Sequence, residues 1–203
     1  GPARASIPSV RMTIAMSLLV RLVMAWAVGY GVDEAYAVSV ARPLALSYFD
    51  HPPLMFWIAG LMSWLSDGTT PFIVRLPFVW MFAGTQWAIG DITRTFFGEY
   101  ASRIAVLALS VCGVLGVTSA SWVLPDGPLL CASSMGVLAL SRVFWPRDAD
   151  SIGDMTWSAT AYWWIVAGVA FGAALLSKYH AVLLLNGAGV FILSDADARR
   201  QLR

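Results

Sequence analysis

Residues 12–31 read MTIAMSLLVRLVMAWAVGYG, a stretch with a single charge, Arg21. Coiled as a helix at roughly 1.5 Å per residue, it is long enough to cross a hydrocarbon core of about 30 Å. A rival reading is a secretory signal, with Arg4 and Arg11 ahead of the apolar run and Ala35-Tyr36-Ala37 as its cleavage box. The run is too long for a signal and Arg21 interrupts it, so the spanning reading is preferred. An arginine at that depth is costly and is expected to face protein or water, not lipid.

Composition extends this reading to the whole chain. Of 203 residues, 59% are apolar and 12% charged, and mean hydropathy is +0.71. A soluble domain carries about 25% charge, and half of that cannot cover a water-facing surface. Thirteen Lys and Arg against twelve Asp and Glu leave a net charge of +1. That balance excludes a strongly basic nucleic-acid binder and an acidic disordered tail, so no nucleic-acid partner is expected. Ten Trp, ten Phe and six Tyr suit the boundary between bilayer and water. Cys112 and Cys131 lie inside apolar runs and read as two buried thiols outside any redox or metal motif. The chain opens on Gly-Pro-Ala-Arg without Met and stops soon after an apolar segment, at Asp-Ala-Arg-Arg-Gln-Leu-Arg. Both ends read as cuts in a longer protein, with a purification scar an equal reading at the first.

Further spans follow. Phe72–Phe97 holds one, with an uncharged centre from Leu76 to Gly90. Ile104–Pro125 carries no charge. Gly127–Ser141 is short and is extended by Val143, Phe144 and Trp145. Met155–Ser177 is uncharged, and Tyr179–Ser194 is a short last run beyond Lys178. The last two form either a tight helical hairpin or one long broken helix. Residues 33–71 differ, mixing polar and aromatic positions. Leu54–Leu65 is apolar with Trp57 and Trp64 but too short to cross, so it is expected to lie along the membrane surface behind Pro52 and Pro53. Glu34–Arg42 is expected as a second short helix, stopped or bent at Pro43. The fold class is therefore all-α: a single polytopic membrane domain over 1–203, with about six spans and interfacial helices in a first outward loop, 33–71.

Orientation follows from the positive-inside rule. With six spans and a cytoplasmic N-terminus, nine positives are cytoplasmic: Arg4, Arg11, Arg94, Arg103, Arg142, Arg147, Arg199, Arg200 and Arg203. Three face outward, Arg42, Arg75 and Lys178, and Arg21 is intramembrane. The loop 33–71 and the turn Pro125-Asp126-Gly127 then share the outer face.

That face collects Asp33, Glu34, Asp50, His51, Arg75, Asp126, Lys178 and His180 in a chain otherwise poor in charge. Each has a plain structural reading. Asp33 and Asp126 are both placed to cap helices. Asp50-His51-Pro52-Pro53 reads as a rigid turn with a hydrogen-bonded His–carboxylate pair. Arg75 anchors the outer end of a span, and Lys178 snorkels to the interface. The functional readings are a general base or metal ligand at Asp33-Glu34 and a His51 held near a phosphate. The sequence has no zinc spacing, Gly-rich phosphate loop or nucleophile elbow.

Five blocks occur in order: Asp33-Glu34-Ala35-Tyr36; Tyr48-Phe49-Asp50-His51-Pro52-Pro53-Leu54; Arg75-Leu76-Pro77; Pro125-Asp126-Gly127-Pro128-Leu129-Leu130; and Leu175-Leu176-Ser177-Lys178-Tyr179. Together they resemble the N-terminal part of the polyprenyl-phosphate-sugar-dependent glycosyltransferases of the GT-C fold. That family includes protein O-mannosyltransferases and aminoarabinose lipid A transferases. The resemblance implies transfer of a sugar from a polyprenyl-phosphate carrier to an extracytoplasmic acceptor (lipid, glycan or protein), usually with inversion, in a multi-pass protein of a bacterial inner membrane. It implies Asp33 as general base or acceptor-positioning acid, with Asp126 orienting loop or acceptor. Glu34 and Asp50 support them, and His51, Arg75 and Lys178 meet the phosphate of the leaving carrier. A divalent metal at Asp33 and Glu34 is possible but not required. His51 stands where the aminoarabinose transferases often carry lysine, and Pro43 breaks a helix the family usually continues. The alternative class is a transporter or lipid-binding membrane module using Arg21 and the outer acids as a path; a scaffold subunit is a third.

The orientation is checked by a single cysteine at position 67 in a protein lacking Cys112 and Cys131. An impermeant thiol reagent is expected to label it in intact cells; labelling only after permeabilisation would overturn the assignment.

Overall fold

The computed structural model describes residues 7–66, 70–145 and 157–200, and among these the chain is helical without strands. Position 67, Arg4, Arg147, Arg203 and the first two residues of the fifth expected span lie outside the described residues.

Helix α1, Val10–Ala27, starts at Ser9, whose hydroxyl accepts from the Met12 amide at 3.3 Å. Its buried positions, Val10, Thr13, Ser17, Arg21 and Ala25, recur every three or four residues. Met16, Leu19, Val20, Val23 and Trp26 are exposed. The polar stripe thus faces protein and the apolar one faces outward, the arrangement a lipid solvent demands.

Two short helices follow, α2 (Val32–Val40) and α3 (Leu54–Leu65). The second short helix thus begins two residues earlier than expected, at Val32, and stops short of Pro43. The two pack through Ala37, Val38 and Ala41 on α2 and Met55, Phe56 and Ala59 on α3, closing over Val74, Phe78 and Val123. Gly60 permits the approach, since a Cβ there would stand 2.8 Å from the Ala41 carbonyl oxygen. With twelve residues, α3 is about 18 Å long and falls short of a bilayer core.

Helix α4, Pro71–Val111, is continuous only in its hydrogen bonding. At Gly98 φ is 85°, a left-handed value that glycine adopts without steric cost, and the chain folds back on itself. Ser102 Oγ donates to the Gly90 carbonyl at 2.6 Å, and Gln86 Nε2 donates to Ser110 Oγ at 2.7 Å. The two limbs are therefore the antiparallel second and third expected spans. The third does not finish as a regular helix. It passes through a π-helical turn, Val114–Thr118, and a short α5, Ser119–Ser121.

Arg21 satisfies this break. Its guanidinium donates to the Ser110 carbonyl at 3.1 Å, the Gly116 carbonyl at 2.6 Å and the Ser17 carbonyl at 3.0 Å, and stacks 4.4 Å from the Phe82 ring centroid. The expectation that Arg21 turns inward holds, because unpaired carbonyls and an unpaired cation are both costly in a spanning segment.

Helices α6 (Asp126–Phe144) and α7 (Trp157–Ser177) pack closely through Ala132, Gly136 and Ala139 against Ala167, Phe171 and Ala174. Small residues bring the backbones together where apolar burial gives little drive. Helix α8, Ala181–Ser194, returns beside α7: the Phe144 ring meets Trp164 at 5.7 Å and Phe191 at 5.2 Å. The hairpin reading of the last two runs is therefore the one adopted. A short α9, Ala196–Arg200, follows. Four helical segments are long and apolar enough to cross a membrane: Val10–Ala27, Pro71–Val111, Asp126–Phe144 and Thr160–Ser177. Because α4 contains two limbs, these four account for five of the six expected passes. Helix α8, with fourteen residues, is too short to complete the sixth alone.

One buried ion pair joins three of these helices to the segment ahead of α6. Arg75, in the second turn of α4, is 1% exposed and Glu34 on α2 is 0% exposed. Arg75 Nε and Nη2 donate to the two carboxylate oxygens of Glu34 at 2.8 and 2.5 Å. The remaining N–H groups cap the C-terminus of α1, at the carbonyls of Ala25 (3.3 Å), Val28 (2.6 Å) and Gly29 (2.8 Å). Glu34 also accepts from the Gly31 amide at 3.0 Å and from the Val123 amide, just before α6, at 3.0 Å.

Removing one partner leaves a buried uncompensated charge. Arg75→Ala is expected to destabilise the protein by about 3–5 kcal/mol, and the double change Glu34→Leu, Arg75→Leu by less than the sum of the single changes. Detergent-titrated unfolding of the three variants checks this; additive losses would refute the coupling.

Candidate functional site

The Glu34–Arg75 clamp decides which of the candidate acids are structural. The capping position of α2 is Gly31, and the side chain that bonds its amide is Glu34, three residues on. Asp33 is therefore not the cap expected of it. It is the second residue of α2, exposed, in the first turn, where the helix dipole favours a carboxylate. Glu34, expected as a supporting acid, has both oxygens engaged inside the protein. Arg75, expected at the carrier phosphate, has all five N–H donors committed to Glu34 and α1. It has no donor left for a phosphate, so the span-anchoring reading of Arg75 is the one the geometry supports.

Asp126 is not a cap either. Pro125 holds the capping position of α6 without a side-chain hydrogen bond, and Asp126 opens the helix. Its Oδ1 receives Lys178 Nζ at 2.8 Å, with Lys178 27% and Asp126 37% exposed. Lys178 lies in the tight turn between α7 and α8, where Ala181 N donates to its carbonyl at 3.1 Å. The α5–α6 turn is compact because Gly127 passes Ser119, whose carbonyl oxygen would stand 2.9 Å from a Cβ. The Val123 amide bonded to Glu34 lies in the same turn. Glu34 thus ties the helix that carries Asp33 to the turn that carries Asp126, and Asp126 to the turn that carries Lys178. The other expected members are less engaged. Asp50 is exposed and accepts from Tyr36 Oη on α2; His51 is half-buried beside the buried Pro52 and Pro53. His180 occupies the exposed capping position of α8.

Two features were not given a role from sequence. Tyr36 links α2 to Asp50, and only its place three residues after Asp33 hinted at it. Arg42 borders a cavity of about 300 Å³ whose walls include Trp57 and Trp64. Among the described residues, no three His, Cys, Asp or Glu side chains lie close enough to hold a metal ion. The engagement of Glu34 leaves Asp33 without the neighbouring carboxylate that a site at this pair would need.

Fold and charge placement define a polytopic helical membrane protein in which Asp33, Glu34, Asp50, Asp126 and Lys178 gather at one end of the bundle. Residues 50–203 match the family model of dolichyl-phosphate-mannose-protein mannosyltransferases, and the chain belongs to that family. The match begins at Asp50, so Asp33 and Glu34 precede it. The chain is also similar to lipid A galacturonosyltransferase RgtD of Rhizobium johnstonii, with 24% identity over 189 residues, covering 87% of this chain and 35% of that protein. It thus spans about a third of that relative's length. No solved structure matches.

The Asp50 hydrogen bond pushes the Tyr36 phenol above its ordinary value of 10.0, aided by lost hydration and the carboxylate's charge. The neutral phenol is the donor. Its contribution is thus complete below the ordinary value and disappears as pH rises through the raised one. In an alkaline absorbance titration, Tyr36→Phe is expected to remove a phenolate step above the usual tyrosine range, and Asp50→Asn to move that step down. A Tyr36 step at the ordinary value would contradict the pairing.

Proposed function

We propose that this chain is the N-terminal, site-bearing part of a membrane glycosyltransferase. It transfers a sugar from a polyprenyl-phosphate carrier to an extracytoplasmic acceptor, in a bacterial inner membrane. The carrying observation is the Glu34 carboxylate, which joins Arg75 and the Val123 amide. It leaves Asp33 exposed on a rigid helix start and fixes that start relative to the Asp126–Lys178 turn. Family membership supports the reaction class, and the similarity to a lipid A transferase supports an envelope acceptor.

In this reading the acceptor oxygen attacks the anomeric carbon while the bond from that carbon to the carrier phosphate breaks, inverting the centre. The acceptor proton passes to Asp33. An ionised aspartate is a weak base toward an alcohol, so it acts as the transition state forms and depends on a closely held acceptor. The carrier leaves as polyprenyl phosphate with added negative charge. Lys178 stabilises that charge at the membrane surface, exchanging part of its contact with Asp126 for phosphate oxygens, with His51 as a further donor. Asp126 holds the lysine in place until the donor arrives. The transporter reading loses its main support, because Arg21 is spent on the carbonyls of a broken helix.

Asp33→Asn in the full-length enzyme is expected to lower transfer from a labelled polyprenyl-phosphate sugar by about 10²–10⁴-fold with membrane insertion intact. Asn keeps the size of the side chain, and the capping bond belongs to Glu34, so the fold does not depend on the carboxylate at 33. Lys178→Met is expected to raise KM for the donor as well as lower kcat. Wild-type rates in Asp33→Asn protein would remove that residue from the mechanism.

A further inference from the structure

The end of the bundle opposite Asp126 and Lys178 holds two adjoining cavities with shared walls. The first, about 340 Å³, is apolar and lies between α6, α7 and α8, with Leu140, Phe171, Leu184 and Ala188 in its lining. Phe144, Trp145 and Phe191 also line it. The same three rings line the second cavity, about 210 Å³, together with Asp195, Asp197 and Ala198. The rings form one cluster, with centroid distances of 5.2 Å for Phe144–Phe191, 5.6 Å for Trp145–Phe191 and 5.9 Å for Phe144–Trp145. Asp195 follows directly on the fourteen-residue α8, which is about 21 Å long and so ends short of a full bilayer crossing. Asp195 Oδ1 accepts from the amides of Asp197 (2.9 Å) and Ala198 (2.8 Å). Asp197 meets Arg200 at 3.1 Å in an exposed pair, and exposed Arg199 donates to the Leu193 carbonyl.

We infer that the two cavities form one binding site for a membrane phospholipid whose headgroup carries an ammonium group. Part of an acyl chain occupies the apolar cavity, whose lining does not distinguish one headgroup from another. Headgroup choice is made in the second cavity. Aromatic rings attract a cation through their quadrupole, and the carboxylates of Asp195 and Asp197 complement an ammonium. Arg199 and Arg200, on the same short helix, flank the acids where the phosphate of such a headgroup would sit. The site shares no residue with Asp33, Asp126 or Lys178 and does not rest on the transfer reading.

The test uses the purified chain in detergent, with adducts of dioleoyl-phosphatidylethanolamine and dioleoyl-phosphatidylglycerol counted by native mass spectrometry. The ethanolamine lipid is expected to bind roughly three- to tenfold more tightly. The double change Asp195→Asn, Asp197→Asn is expected to equalise the two lipids without abolishing binding, since Asn keeps the capping bond of α9. Gly187→Trp fills the apolar cavity at a position where a Cβ meets nothing within 4 Å; it is expected to weaken both lipids at least tenfold with elution and helicity unchanged. Equal affinities in the unmodified protein, a headgroup preference that survives the double change, or undiminished binding in Gly187→Trp would each overturn the inference.

Discussion

A carboxylate and a guanidinium withdrawn from water each cost several kcal/mol, and their mutual attraction recovers this only when every remaining lone pair and N–H finds a partner. Glu34 and Arg75 meet that demand by recruiting backbone from three other places: the frayed end of α1, the amide at the start of α2 and the amide ahead of α6. Because the groups that solvate the pair lie far apart in sequence, the pair can be buried only when those segments have converged. The same bonds that neutralise two charges therefore define one end of the bundle, and the exposed acids there inherit their positions from it.

The helical passes were legible because their signal is length and the absence of charge, which needs no knowledge of partners. The interior of the site was less so. Asp33 carries the signature of a cap, but the capping register is set by Glu34 three residues beyond Gly31, and a glycine at that position has no side chain to announce it. Arg75 looked like a surface cation because it follows a polar loop. Its burial depends on Pro71 starting α4 one turn earlier, which turns residue 75 toward the end of α1. Asp126 and Lys178 were both placed at the outer ends of spans from charge counting, yet their contact rests on the α7–α8 hairpin, which spacing left open against one long broken helix. Sequence reports which groups can reach an end of the bundle; tertiary packing decides which of them neutralise one another.

Polarity in this chain is sorted inward. Ser17, Arg21 and Gln86 form a buried polar seam while methionine, leucine and valine occupy the outer surface of α1. The seam is tied to the irregular end of the third pass: Ser110 and Gly116 offer carbonyls there, and Arg21 accepts the task of binding them. Neither feature is tolerable in lipid alone. A regular third helix would orphan the arginine, and an apolar residue at 21 would orphan the carbonyls, so the two irregularities stabilise each other.

A membrane protein keeps its two sides distinct by the parity of its crossings, and here that parity passes through one residue. With the left-handed angle at Gly98, the forty-one residues of α4 make two crossings and return to the side they left. Straightened, they would form a single rod of about 62 Å, twice the thickness of the core. Every later loop would then emerge on the other side. Asp126 and Lys178 would be separated from Asp33 by the whole bilayer, although no residue among them had changed. The side on which Asp126 and Lys178 join Asp33 is thus held by a backbone angle 28 residues before Asp126 and 65 residues after Asp33.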